Sequence, residues 1–272
     1  MPIVIQSDLR HRTEDFDLDP EIIRGLWNME DHHFWHAARN RWILRALRAR
    51  GLKPPAAILE VGCGSGATVR SMHSRGYRLT GIDTAEPLIR KAHERAPEAM
   101  FIAGEVEKLH ASIGPFDAVC FFDVLEHLDD PISLMRQAIV HARPGALVLA
   151  TVPGLRALHS VIDDLSGHKK RFETGELASL FSTAGLVQIE ERGIFRLTTL
   201  VLKRFRSKST PRAASTLNLA EKRALMIDNF RIPWSPANLA LDVACALEEK
   251  IGYGLARNRA GASLLASGRV AG

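Results

Sequence analysis

The sequence has few cysteines and fewer tyrosines. Its three cysteines, Cys63, Cys120 and Cys245, are odd in number and widely spaced, with no C-x-x-C pair. That argues against a disulfide framework or a cysteine zinc site and points to a reducing compartment. The two tyrosines, Tyr77 and Tyr253, lack the lysine partner of a Tyr-x-x-x-Lys hydride-transfer pair, and the aromatic motifs of RNA-binding modules are missing, so nucleic acid is not an expected partner. No apolar run reaches the roughly 20 residues of a membrane span. The opening Met1-Pro2-Ile3-Val4-Ile5-Gln6-Ser7-Asp8 has neither the basic region nor the apolar run of a secretory signal, and the chain is expected to be cytoplasmic.

What is present is ordinary for a globular protein: 46% hydrophobic and 25% charged residues, enough to build a core without staples. The net charge of +5 is modest, and solvated Lys and Arg account for such a surplus. The chain is organised around Ile58 to Thr68, which reads as a buried strand, a turn with glycine at 62, 64 and 66, and a helix start. Such a turn lets backbone approach a ligand that a Cβ would exclude, and the helix start offers unpaired N–H groups. Glu60 stands two residues before the first glycine, and Asp83 closes the next strand, where it can receive ribose hydroxyls. A nucleoside cofactor follows. Gly62-x-Gly64-x-x-Ala67 also satisfies the dinucleotide pattern, so a nicotinamide-dependent oxidoreductase stays open on the residues alone.

Glu60-Val61-Gly62-Cys63-Gly64-Ser65-Gly66 resembles the acidic-x-G-x-G-x-G signature of the class I S-adenosylmethionine (SAM) dependent methyltransferases, especially small-molecule enzymes of the type 11 and type 23 domains. Later blocks follow in order: Gly104-Glu105, Phe116-Asp117-Ala118-Val119, Leu125-Glu126-His127-Leu128 and Arg143-Pro144-Gly145. The resemblance covers residues 56 to 193 and implies SAM as cofactor. It places Glu60 and the Gly62, Cys63, Gly64 and Gly66 backbone at the methionine end and Asp83 at the ribose. It places Thr84 beside the adenosine, Glu105 and Val106 at the adenine edge, and Asp123 nearby. At 105 a glutamate stands where the family more often has aspartate, which lengthens the reach.

The expected fold is α/β, a Rossmann-like class I methyltransferase with a seven-stranded, mostly parallel sheet, an antiparallel last strand and helices on both faces. Strands are expected near 56–61, 77–83, 99–103, 116–122, 146–152, 186–192 and 262–270, and helices near 65–75, 86–96, 105–111 and 131–142. Asp130 before Pro131 is a helix start, Gly145 punctuates the far end of that helix, and Thr174 caps another. Residues 1–20 are expected to be weakly ordered. Four segments result: a helical lid over 1–53, a SAM-binding core over 54–198, a helical insertion over 199–261, and a final strand over 262–272. In the lid, Trp35, Trp42 and Ile43 share a side, Arg39, Arg45 and Arg48 supply polar positions, and His32 and His36 fall on one helix face. The insertion opens on a basic stretch, Lys203 to Lys208, and carries an apolar stripe of Leu239, Val243 and Leu247, suited to a core helix, a substrate cap or peripheral membrane contact.

Methyl transfer needs alignment and water exclusion, and a base only where the acceptor must lose a proton. His127, just after the fourth expected strand, is the first candidate base, and His168, within Ser166-Gly167-His168-Lys169-Lys170-Arg171-Phe172, is the second. Asp123, Glu126 and His127 form D-x-x-E-H. Ubiquinone-biosynthesis O-methyltransferases have a similar E-x-x-E-H cluster associated with a divalent metal, but L-E-H is widespread in metal-free relatives, and no metal is expected. The chain lacks the Asn/Asp-Pro-Pro-Tyr/Phe block of amino-group methyltransferases and the Pro-Cys pair of C5-pyrimidine enzymes. The expected reaction is methylation at oxygen of a small, sugar- or lipid-linked metabolite, with a catalytically silent module of the same fold as the other alternative.

Overall fold

The computed structural model describes residues 3–6, 20–197, 199 and 214–272. Eight strands form one sheet: β1 (Ile3–Ile5), β2 (Ala57–Val61), β3 (Arg78–Asp83), β4 (Met100–Ala103), β5 (Phe116–Phe122), β6 (Ala142–Pro153), β7 (Val187–Ile194) and β8 (Ser263–Arg269). Their order is β1-β4-β3-β2-β5-β6-β8-β7, and β8 alone runs opposite to its neighbours. The Rossmann-like arrangement expected from sequence is present, with one strand more: β1 adds parallel to β4 in the stretch expected to be weakly ordered. Its three residues are too few for a periodic signal.

The helices are α1 (Pro20–His32), α2 (Phe34–Ala49), α3 (Ala67–His73), α4 (Glu86–Arg95), α5 (Pro131–Ile139), α6 (Val161–Leu165), α7 (Glu176–Thr183), α8 (Leu219–Asn229) and α9 (Ser235–Gly252). Strand alternation divides the interior between the two faces of the sheet. Ile58, Ala118, Cys120, Leu147 and Leu149 join Trp42 and Leu47 of α2 on one face. Leu59, Val61, Val119, Phe121, Val148 and Ala150 meet Met135 of α5 and Phe181 of α7 on the other. The period of two puts Glu60 on the same side as Ile58, beneath α2.

Four local expectations change. The N-terminal helical run breaks at His33, whose extended backbone and ring, accepting from Trp35 N at 3.1 Å, cap α2. Asn238 of α9 clasps the break, donating to His32 O at 2.9 Å and accepting from Phe34 N at 3.0 Å. His32 and His36 therefore lie on different helices and share no face. The helix expected at 105–111 is one short 3-10 turn, Val106–Lys108. Gly175, not Thr174, precedes α7. Gly145 lies inside β6, donating to Val270 O at 3.1 Å, rather than at the end of α5. Asp130 does cap α5, accepting from Ser133 N at 3.0 Å with Pro131 in the first turn. The basic stretch from Lys203 lies outside the described residues. The last part of the insertion folds as α8 and α9, and α9 packs along α2 through Arg41 to Asp242 at 2.7 Å and Arg45 to Glu249 at 2.8 Å.

Candidate functional site

The sheet order reverses between β2 and β5, and the carboxyl ends of the strands there form the crevice where open α/β sheets bind ligands. The glycine turn lines it. At Gly62, with φ +71°, a Cβ would strike Val124; at Gly64, with φ +50°, a Cβ would meet nothing within 4 Å. Positive φ requires glycine at both, but only Gly64 leaves its space open to a ligand. The N–H groups of Gly62 and Cys63 donate to Ile82 O at 2.8 and 3.1 Å, Gly64 N donates to Asp83 Oδ2 at 2.8 Å, and Gly66 N to Cys63 O at 2.9 Å. The turn's amides at these four positions are thus spent on the protein. What the turn offers a ligand is bare backbone and the carboxylates around it.

Three of those carboxylates are the expected ones. Glu60 is 2% exposed, its Oε2 has no partner, and burial pushes its pKa up to about 8, with Arg39 pulling down and Glu30 and Asp83 pushing further up. A buried oxygen without a partner is costly unless a ligand completes it. Asp83 is raised by burial, against backbone donors that include Gly64 and Ala85 at 2.8 and 2.9 Å. Asp123 follows β5 with φ +55°, accepts from Thr151 Oγ1 at 3.0 Å, and pairs with Arg39. Burial would raise its pKa, but Arg39 wins and holds it below the usual range.

The remaining expected positions are placed differently. The Cys63 thiol is buried toward Gly81, so only its backbone lies on the turn. Thr84 is exposed beside Asp83. Glu105 is engaged elsewhere: its carboxylate pairs with Lys108 at 3.0 Å, its N–H donates to Gln6 Oε1 at 2.9 Å, and its carbonyl accepts from Gln6 Nε2 at 3.1 Å. Val106, beside it, is buried.

Several site residues escaped the sequence reading. Arg39, read as a polar position, is buried and reaches both Asp123 and Thr68. Its signal was position: 34, 38, 39, 42, 43, 46 and 47 form the buried face of α2, and a cation there is out of place. His36 faces the same ion pair with a buried, unpartnered Nδ1, and burial first, then Arg39, lower its pKa to about 3, so the imidazole stays neutral. From α1, Glu30 accepts from Ser65 Oγ in the glycine turn and from Arg95 of α4 at 2.7 Å. Arg95 also lies 4.8 Å over the Trp27 ring, so α1 is fastened across the turn.

A second cluster stands beyond β5. The carboxylate of Asp163 accepts from Arg171 Nε at 2.7 Å and from Ser160 N and Oγ at 2.8 and 2.9 Å, and its pKa is held below the usual carboxylate range. Ser160-x-x-Asp163 is a capping box, a signal present in the sequence and not used. The ionised carboxylate can only accept, so the facing His168 Nδ1, at 3.0 Å, is the donor, which in the neutral imidazole leaves the lone pair on Nε2. His127 and His168 are brought together, ring centroids 4.9 Å apart, and burial, then His168, lower the pKa of His127. Glu126 is fully buried, neither carboxylate oxygen has a hydrogen-bond partner, Oε1 lies 3.9 Å from His168 Nε2, and burial raises its pKa well above the usual range. Glu126, His127 and His168 offer ligand atoms within 4.8 Å of one another, a donor set able to hold a divalent ion. Asp123 is not among them. Its pairing with Arg39 divides the D-x-x-E-H run between two sites, and His168 takes the third place.

Residues 34–191 match a family described as a methyltransferase domain. A ubiquinone biosynthesis O-methyltransferase of Xanthomonas campestris pv. campestris is 30% identical over 194 residues, 65% of this chain and 81% of that protein. Among solved structures, the complex between the Haloferax volcanii Trm112 methyltransferase activator and its methyltransferase contains a chain that aligns with a TM-score of 0.59 at 18% identity, covering 96% of this chain and 99% of that one. The plantazolicin methyltransferase BpumL in complex with SAH aligns at 0.55 and 16% identity, covering 94% and 93%. These two share the fold. With the match running over more than half its length, from α2 into β7, the chain belongs to the methyltransferase-domain family and is a SAM-dependent methyltransferase.

Proposed function

We propose that the protein methylates a hydroxyl oxygen of a small acceptor, lipid- or sugar-linked, with His168 as the base and His127 beside it in the acceptor site. The observation that carries this reading is the Asp163–His168 pair, because an orienting carboxylate on Nδ1 leaves Nε2 able to take a proton. SAM, when bound, supplies an activated methyl group and leaves as a neutral thioether. The hydroxyl proton must go elsewhere, and a fixed imidazole is suited to take it. The name of the Xanthomonas relative, an O-methyltransferase, supports oxygen as the acceptor atom.

For the cofactor, the unpartnered Glu60 oxygen and the open space over Gly64 fit a cationic ligand laid on the turn. Glu60 and the Gly62, Cys63, Gly64 and Gly66 backbone would hold the methionine end, with Arg39 and Asp123 closing it from α2 and β5. Asp83 and Thr84 would receive the ribose and Val106 the adenine, with Glu105 joining if its Lys108 pairing opens. α1 and α2 would serve as the lid. Asp83→Asn keeps an acceptor for the Gly64 amide but loses the charge, and calorimetry should show SAM binding about tenfold weaker. Unchanged affinity would remove Asp83 from the site.

The acceptor test is a screen of phenols, catechols and lipid- or sugar-linked alcohols with SAM, with the methylated atom located by NMR. His168→Gln should lower kcat by about 10² while leaving the SAM Kd in place, and Asp163→Asn should lower it less. Methyl found on nitrogen or carbon, or a fully active His168→Gln, would overturn the proposal.

A further inference from the structure

No helix among the described residues is long and apolar enough to cross a membrane, yet α9 turns an apolar face to solvent. Leu239, Val243, Leu247, Ile251 and Leu255 recur at every fourth position and are 63, 49, 51, 73 and 69% exposed. The first four lie within α9 and, at 1.5 Å per residue, make a stripe about 18 Å long; Leu255 stands in the turn that follows. Trp234, 73% exposed, stands at its start, and exposed Leu197 lies beside its fourth turn, where Leu197 N donates to Glu248 at 3.0 Å. Isolated exposed leucines need no explanation, but a continuous row does.

Cations predominate around the carboxyl-terminal end of the stripe. Each carboxylate of α9 has a partner on the protein side: Asp242 on Arg41, Glu249 on Arg45, and Glu248 on the Arg196 and Leu197 amides. Lys250, Arg196, Arg257 and Arg259 are exposed around its carboxyl-terminal end. A second copy docked stripe to stripe would bring these like-charged rims together, which is unfavourable in a two-fold interface. An anionic bilayer surface complements both features at once: it takes the apolar row into the headgroup boundary and attracts the cations.

We propose that the outward face of α9 docks the enzyme on a membrane surface rich in anionic lipid. The inference goes beyond the choice of methyl acceptor and does not require a lipid-linked one. The test is sedimentation of the full chain with phosphatidylcholine vesicles containing about one third phosphatidylglycerol, against vesicles of phosphatidylcholine alone. Wild type should sediment with the anionic vesicles only, and release when NaCl is raised to about 0.5 M. Leu247→Glu/Ile251→Glu, at exposed positions, should lose at least about tenfold in partitioning while its near-UV circular dichroism is unchanged. Trp234 emission in the wild type should shift to the blue on the anionic vesicles, and Trp234→Phe should lose that shift, a readout needing no charged variant. Wild type that stays in solution, a double variant that sediments like wild type, or a dimer that the same variant dissociates would each overturn the proposal. SAM titration of the wild type separates the two readings: wild type that binds SAM but stays in solution overturns this one, and wild type that docks without binding SAM overturns only the cofactor assignments.

Discussion

Arg39→Met is expected to cost about 3 kcal/mol of folding stability, read from urea denaturation at neutral pH. The residue spans from α2 to the edge of β5, and its guanidinium compensates Asp123 in a crevice that also holds buried Glu60. Removing one member of a buried ion pair leaves the other desolvated, at about 3–5 kcal/mol. The low end applies because the Asp123 side chain is 30% accessible and water relieves part of the penalty. Asp123→Asn in the same background should recover most of the loss, since asparagine tolerates the φ of +55° at that position and needs no counter-ion. An Arg39→Met variant as stable as wild type, or one that Asp123→Asn does not rescue, would mean the pair does not hold α2 to the sheet.

Arg39 also shows where sequence reading stops. The strands were legible because Ile58-Leu59, Val119-Cys120-Phe121 and Leu147-Val148-Leu149 are continuous apolar runs between turn residues, the pattern of strands covered on both faces. Glu60, Asp83 and the glycine turn were legible because their spacing is local. Arg39 with Asp123 is not of that kind, although Asp163 with His168, five residues apart, is. The first pair joins residues 84 apart, and which of the three named arginines of α2 turns inward depends on how α2 sits on β5. The break at His33 was hidden too, since Asn238, which clasps both sides of it, is more than two hundred residues away. The exposed stripe of α9 was legible as a stripe, but its exposure was not. Periodicity marks an apolar face and not what covers it.

SAM affinity should fall about 500-fold between pH 8 and pH 5, and binding near pH 7 should release close to one proton, because of Glu60. Desolvation raises this carboxyl from its usual 4.5 to about 8, so in the free enzyme it is protonated below that point. A cationic ligand at its unpartnered oxygen favours the ionised form. Below pH 8 each unit of acidity then demands a tenfold larger share of binding energy to expel the proton, until the bound carboxyl titrates as well. The free enzyme carries the opposite signature. Its folded state holds a proton that the unfolded chain loses above about 4.5, so this group's contribution to stability is present at low pH and declines as pH rises toward 8. The neighbours facing it are Arg39, which opposes the shift, and Glu30 and Asp83, which add to it. Glu60→Gln should flatten both profiles and end the proton release, measured by calorimetry in buffers of different ionisation enthalpy. A wild-type affinity that is level from pH 5 to 8 would mean that Glu60 is already ionised before the cofactor arrives, and that the cation is met by a different group.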